Sequence, residues 1–261
     1  MMDTTDYRYE IKYYAGIDKS GWIILAVTFV VAALLIWVPL INHIIGYLII
    51  LIHEFGHFLL GLLFGYPSLP AFDFREGGGV TAYSTRLMWI MLFPYAGMLY
   101  VLYLVRGHLI SVMVMVAALL VFSLLAFTDV HNEVCILAGH GFEILIAGVF
   151  LYRAMSGSSI VNPNERPLYA FCGWAMLFYS AGFFFRLLTD RVEMTAYRMG
   201  KSYVENDLVK IEQLHRGISV SVQSVIFIMA CIIIPFAAFG INLWIKHIQM
   251  KDKVSDLDFV Q

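Results

Sequence analysis

Seven stretches of this chain are long and apolar enough to cross a lipid bilayer, and they restrict its fold more than any other feature. They run over residues 21–38, 44–65, 87–105, 108–128, 134–152, 168–188 and 220–245. In hydrocarbon every backbone N–H and C=O must be satisfied within the chain, so apolar runs of about 20 residues are helices. The breaks between them carry turn chemistry: Pro39 before Asn42, Arg106-Gly107, Thr128-Asp129 and the longer SGSSIVNPNERP over 156–167. Composition agrees, with 61% hydrophobic and 14% charged residues, where soluble domains hold about 45–50% and about 25%. The expected class is an all-α polytopic membrane protein of about seven transmembrane helices, folded as one integral membrane domain over 1–261. The 108–128 run could instead pair tightly with its neighbour, so six or eight spans stay open.

Two breaks are too long for simple turns. Residues 66–86 mix Gly and Pro with the β-type run Val80-Thr81-Ala82-Tyr83, which predicts a hairpin or strand at the membrane edge. Residues 189–217 set Arg191, Arg198, Lys201, Lys210 and Arg216 among apolar side chains, which reads as one or two amphipathic surface helices or a solvated connector. The N-terminus lacks a basic region followed at once by a short apolar run, so the first apolar segment, from Gly21, reads as a retained anchor. With seven spans, the side holding the N-terminus collects eleven basic residues against six, which predicts a cytoplasmic N-terminus. The near balance of 17 basic and 19 acidic side chains offers no patch for nucleic acid. Expected partners are the bilayer and a membrane protein, with an oligomer or complex subunit also open. Cys135, Cys172 and Cys231 are scattered through apolar runs and form no disulfide framework.

The second apolar run contains HEFGH, residues 53–57. A charged group near the bilayer centre costs at least ~2.5–3.5 kcal/mol, and something must offset that cost. His53 and His57 are four residues apart, so on a helix both imidazoles project from one face. Two such nitrogens can bind one Zn²⁺ at ~2.0–2.1 Å each. Glu54 lies about 100° round the helix, where it can take a proton from a zinc-activated water. This is the H-E-x-x-H pattern of metalloproteases.

A zincin motif inside a hydrophobic span resembles the site-2 protease family of intramembrane zinc metallopeptidases. GGGVTAY (77–83) resembles the Gly-rich strand that follows the motif helix in that family, and FPYAGMLY (93–100) resembles a small-residue segment of its next span. The resemblance covers about residues 44–105 and is specific at HEFGH. It implies zinc ligation by His53 and His57, Glu54 as general base, and substrate presentation by the strand at Gly79, Val80 and Thr81. It also implies a third ligand from an aspartate in a later Asp-Gly pair, and this sequence contains no such pair. Nor is there room for an inserted PDZ domain.

Candidates for the third ligand gather in TDVHNEVCILAGHGFEIL (128–145). A helix over 134–152, antiparallel to the motif helix, would carry His140 to about the depth of His57. His140 is therefore the expected third metal ligand. Glu143, on the same face at i, i+3, is expected as its outer partner or an alternate ligand. Asp129 is kept because the family prefers aspartate, although the same geometry leaves it at the surface. The metal core is thus expected within 44–152.

These features predict a zinc-dependent intramembrane metalloprotease cleaving a membrane protein substrate. Two alternatives share the features: a membrane-embedded zinc amidase or lipid hydrolase, and a non-catalytic subunit that holds metal or haem.

Overall fold

The structure is a computed structural model that describes residues 13–14, 16–73, 78–157, 160, 162, 164–200, 205–215 and 217–258. Gly77 of the Gly-rich run and Arg8, Lys12, Arg75, Lys201 and Arg216 of the charge count lie outside the described residues. A small antiparallel pair, β1 (Tyr13–Tyr14) and β2 (Ile17–Asp18), leads into helices α1 (Lys19–Leu35) and α2 (Pro39–Leu63). A second antiparallel pair follows, β3 (Ser68–Asp73) and β4 (Gly78–Tyr83), in the register Ala71 opposite Val80 and Ser68 opposite Tyr83. A 3₁₀ turn at Met88–Met91 precedes α3 (Leu92–Leu104) and α4 (Leu109–Ala126). Next come α5 (Val130–Ser156), α6 (Glu165–Thr189), the short α7 (Arg191–Met199) and α8 (Asp207–Leu214), and the long α9 (Val220–Asp258).

The fold is all-α apart from these short strands. Among the described residues five helices are long and apolar enough to cross a membrane: α2, α4, α5, α6 and the Val220–Ile248 part of α9. Lys19–Leu35 and Met88–Leu104 are shorter apolar helical segments. Pro39, a break in the sequence pattern, is the first residue of α2, where its missing N–H has no intrahelical partner to lose. The helix expected to begin at residue 134 begins at Val130 instead, and it ends at Gly157, whose φ of 64° few other residues adopt.

The bundle is centred on α5, which packs against α2, α6 and α9, while α1 packs on α6. Small residues set these approaches. A Cβ on Gly56 of α2 would stand 2.7 Å from the carbonyl oxygen of Ala138 on α5. One on Gly148 would stand 2.6 Å from Ile234 of α9, and one on Gly173 of α6 would stand 2.8 Å from Leu151. Such contacts bring helices together where lipid is as apolar as leucine and hydrophobicity alone does not pair them. Leu151, Ala147, Met176 and Ala175 are fully enclosed at the resulting core.

The α3–α4 hairpin stands apart from this core. No residue of α3 is buried, and in α4 only Ala126 is. It is tethered at one end, where Phe64, Met91, Ala126 and Cys135 cluster. There Arg86 donates from Nε to the Phe64 carbonyl (2.8 Å) and from its terminal nitrogen to the Ala126 carbonyl (2.5 Å).

The 189–217 connector departs from the expectation of surface helices. α7 has no buried residue, in keeping with a surface position. α8 instead inserts Leu208, Val209 and Ile211 into the protein, where Leu208 and Val209 join Phe184 and Leu187 of α6 and Val220 of α9. The cause is its apolar face, too small to signal burial by periodicity but shaped to fill the space beside α5, α6 and α9. Gln223 of α9 donates to the Leu208 carbonyl (2.8 Å), and Asn206, just before α8, donates to that of Tyr197 on α7 (2.6 Å).

Candidate metal centre

Helical spacing puts His53 and His57 one turn apart on α2, with ring centroids 4.7 Å from each other. Their Nε2 atoms are 3.0 Å apart. Oδ2 of Asp207, the first residue of α8, is 2.9 Å from His57 Nε2 and 3.1 Å from His53 Nε2. Three ligand-type atoms from two distant segments thus close a small triangle. Lys210, one turn along α8, donates to the other aspartate oxygen, Oδ1, at 3.1 Å.

The opposite ring nitrogens explain why these three atoms face one another. His57 Nδ1 lies 2.8 Å from the Cys135 carbonyl oxygen, which can only accept, so that nitrogen carries the proton. His53 Nδ1 lies 2.6 Å from Glu143 Oε1, a carboxylate acceptor. In the neutral imidazoles both Nε2 atoms therefore present lone pairs, toward each other and toward a carboxylate oxygen. Such a group is held together by a cation among its members, either a metal ion or a proton on one Nε2 donated to the aspartate oxygen. Tetrahedral Zn²⁺ at ~2.0–2.1 Å from each ligand would separate them by about 3.3–3.4 Å, within about half an ångström of what is seen. The donor set fits a divalent cation of borderline softness, and the Nδ1 contacts have the form that orients metal-bound histidines.

Glu143 organises the side of the centre away from Asp207. Its Oε1 accepts from His53 Nδ1 and from His140 Nδ1 (3.1 Å), and its Oε2 accepts from Ser180 of α6 (2.8 Å). His140 lies against His53 with centroids 4.5 Å apart, on a wall made by Phe183, Phe184 and Phe227. His53, His140 and Asp207 each offer a ligand atom within 4.8 Å of the others, so they too could hold a metal ion. α5 passes close enough for this because residue 139 is glycine, with the His53 ring filling the place of a side chain.

Glu54 is buried on the neighbouring strip of α2, under strand β4. Thr81 donates to Glu54 Oε2 at 2.6 Å and lies 3.2 Å from the Glu54 carbonyl oxygen. A Cβ on Gly79 would stand 2.5 Å from Glu54 Cγ. Two residues on, Tyr83 donates to the His57 carbonyl (3.2 Å). Alternation along a strand thus turns Gly79, Thr81 and Tyr83 toward α2, and it turns Val80 to the other face.

The structure brings together His53, His57, His140 and Glu143, and it lays Gly79 and Thr81 on Glu54. Asp129 stays outside, exposed at the N-cap of α5, eleven residues or about 16 Å along the helix from His140. The residue that sequence reasoning missed is Asp207. Its one signal was an acidic residue opening a short run, DLVKIEQL, whose Leu, Val and Ile share a face. Comparison with protein-family models, with curated proteins and with solved structures gave no match.

Proposed function

We propose that this chain is a zinc-dependent intramembrane metallopeptidase of the site-2 protease type, acting on a membrane protein substrate. His53 Nε2, His57 Nε2 and Asp207 Oδ2 would hold the ion, with His140 beside them. The observation that carries the reading is the 2.9–3.1 Å triangle of ligand-type atoms, each imidazole oriented by an acceptor at its other nitrogen. An aspartate completing a pair of zincin histidines is the ligand set the family resemblance implies, supplied here without an Asp-Gly pair. Bound zinc would activate water at neutral pH and polarise the scissile carbonyl.

The chain's own groups account for the rest. Glu54, one residue from His53 and buried, is the acceptor for the proton lost by the attacking water and then its donor to the leaving amine. Thr81 holds one carboxylate oxygen and leaves the other to receive that proton. β4 pairs with β3 alone among the described residues, so its second edge can take an extended peptide segment by backbone hydrogen bonds. A seven-span topology with a cytoplasmic N-terminus belongs to the same proposal. A haem-binding role is disfavoured by the 4.5 Å between the His53 and His140 rings, which leaves no room for a macrocycle.

The test is cleavage of a fluorogenic transmembrane peptide by purified protein in liposomes. Glu54→Gln should keep zinc near one per chain and lose the hydrolysis rate by a factor on the order of 10²–10⁴. Equal rates in wild type and Glu54→Gln would overturn the mechanism.

A further inference from the structure

A general base works only if its carboxylate is held at the reacting atoms, and a glutamate has three rotatable bonds through which to stray. On α2 the neighbours of Glu54 in sequence are His53 and Phe55, neither of which is seen to bond its carboxylate. The contacts that do restrain it come from outside the helix, from β4. Thr81 reaches Oε2 at 2.6 Å, shorter than most neutral hydroxyl bonds and typical of a charge-assisted one. Gly79 lies flat against the Cγ methylene, so the side chain cannot swing toward the strand. Tyr83 fastens the far end of β4 to the His57 carbonyl and lies over Gly61. The strand is therefore seated along the motif helix at three successive inward positions, with the threonine hydroxyl over the base.

We propose that Thr81 is a positioning residue for Glu54, through which the strand that would receive substrate also sets the orientation of the base. The catalytic consequence rests on the hydrolase reading above; the hydrogen bond itself does not. Without the hydroxyl the carboxylate samples other rotamers, and attack slows although binding at the strand is unchanged. The substitution that removes the bond with least change of shape is Thr81→Val. Thr81→Ser restores the hydroxyl without the methyl group.

Two measurements on full-length protein in detergent or liposomes test this. In the peptide-cleavage assay, Thr81→Val should lower kcat about 10- to 100-fold with KM within about twofold of wild type, and Thr81→Ser should recover most of the loss. These factors are those of one group aligning an acid or base. Unchanged kcat in Thr81→Val, or a loss that Thr81→Ser fails to recover, would overturn the proposal. The second measurement needs no activity: apparent Tm for Thr81→Val in the wild-type background and in Glu54→Leu. A drop in the first background that vanishes in the second supports a bond to Glu54, and equal drops in both would overturn it. If wild type and Glu54→Gln cleave nothing, the hydrolase reading fails while the Tm comparison still decides the contact.

Discussion

A Cβ added to Gly139 of α5 would stand 2.3 Å from Nε2 of His53 on α2, closer than any side chain tolerates. The ring of His53 thus occupies the place that a side chain at 139 would take. Gly141, two residues on, has nothing within 4 Å of its would-be Cβ. The two glycines make a matched pair. Gly139→Ala should displace the His53 ring and lower metal affinity at least about 10-fold, the scale of an outer-contact lesion. Gly141→Ala should leave it unchanged. Zinc titration of both variants against a competing chelator decides, and equal affinities would contradict the described packing.

Asp207 gives the sharpest comparison of ligands. Asp207→Asn keeps the shape but removes the anionic oxygen that faces both Nε2 atoms, so the purified variant should lose its zinc. His140→Ala should weaken retention less, because the Nε2 triangle does not include His140. Asp129→Asn, at the exposed cap of α5, should retain a full complement. Metal content by mass spectrometry after dialysis against chelator ranks the three. Retention in Asp207→Asn with loss in His140→Ala would make the histidine the ligand and the aspartate a bystander.

A pH effect should come from the other end of the bundle. Asp18, just before α1, pairs with Arg166 of α6 at 2.5 Å, and Arg166 also donates to the Ala154 and Met155 carbonyls. Partial burial acts to raise the Asp18 carboxyl, but the hydrogen bond and charge of Arg166 outweigh it and hold the group below its ordinary value. A carboxyl depressed in the folded state adds stability above its unfolded pKa, about 3.9, and loses it as pH falls through the folded value. Wild type should therefore exceed Asp18→Asn in apparent Tm at about pH 6, with the gap closing below about pH 4. A gap constant across that range would remove the ionised carboxylate as its source.

Topology is open to direct test. Reporters at the N-terminus and after Gln261 should fall on opposite sides of the membrane for seven spans. Placement on one side would mean an even number of spans, as when one of the two shorter segments, Lys19–Leu35 or Met88–Leu104, does not cross.

The sequence discloses whatever depends on local spacing. Helix boundaries fall within about five residues of the apolar runs, except that α9 continues past 245 to Asp258, and HEFGH places two imidazoles on one strip because four residues make about one turn. His140 and Glu143 were accessible to reasoning for the same reason, being polar groups at matching depth on a neighbouring helix. Asp207 was not, because nothing near it in the chain shows that α8 leaves the surface. Four apolar residues in an eight-residue helix fit an interfacial helix as well as a buried one. Only the cleft between α5, α6 and α9, a property of the assembled bundle, distinguishes the two. Ranking ligands by depth within spans excluded in advance a ligand carried by a connector.

The triangle spans 154 positions of the chain, from His53 to Asp207. A ribosome adding about 5–20 residues per second needs roughly 8–30 s to cover that interval. Throughout it, α2 is already made and two histidines wait without their aspartate. The centre therefore closes late in biosynthesis, after α6 and the connector behind it have been made. A product truncated before residue 207 would carry the whole HEFGH motif and still lack the oxygen that joins its two histidines.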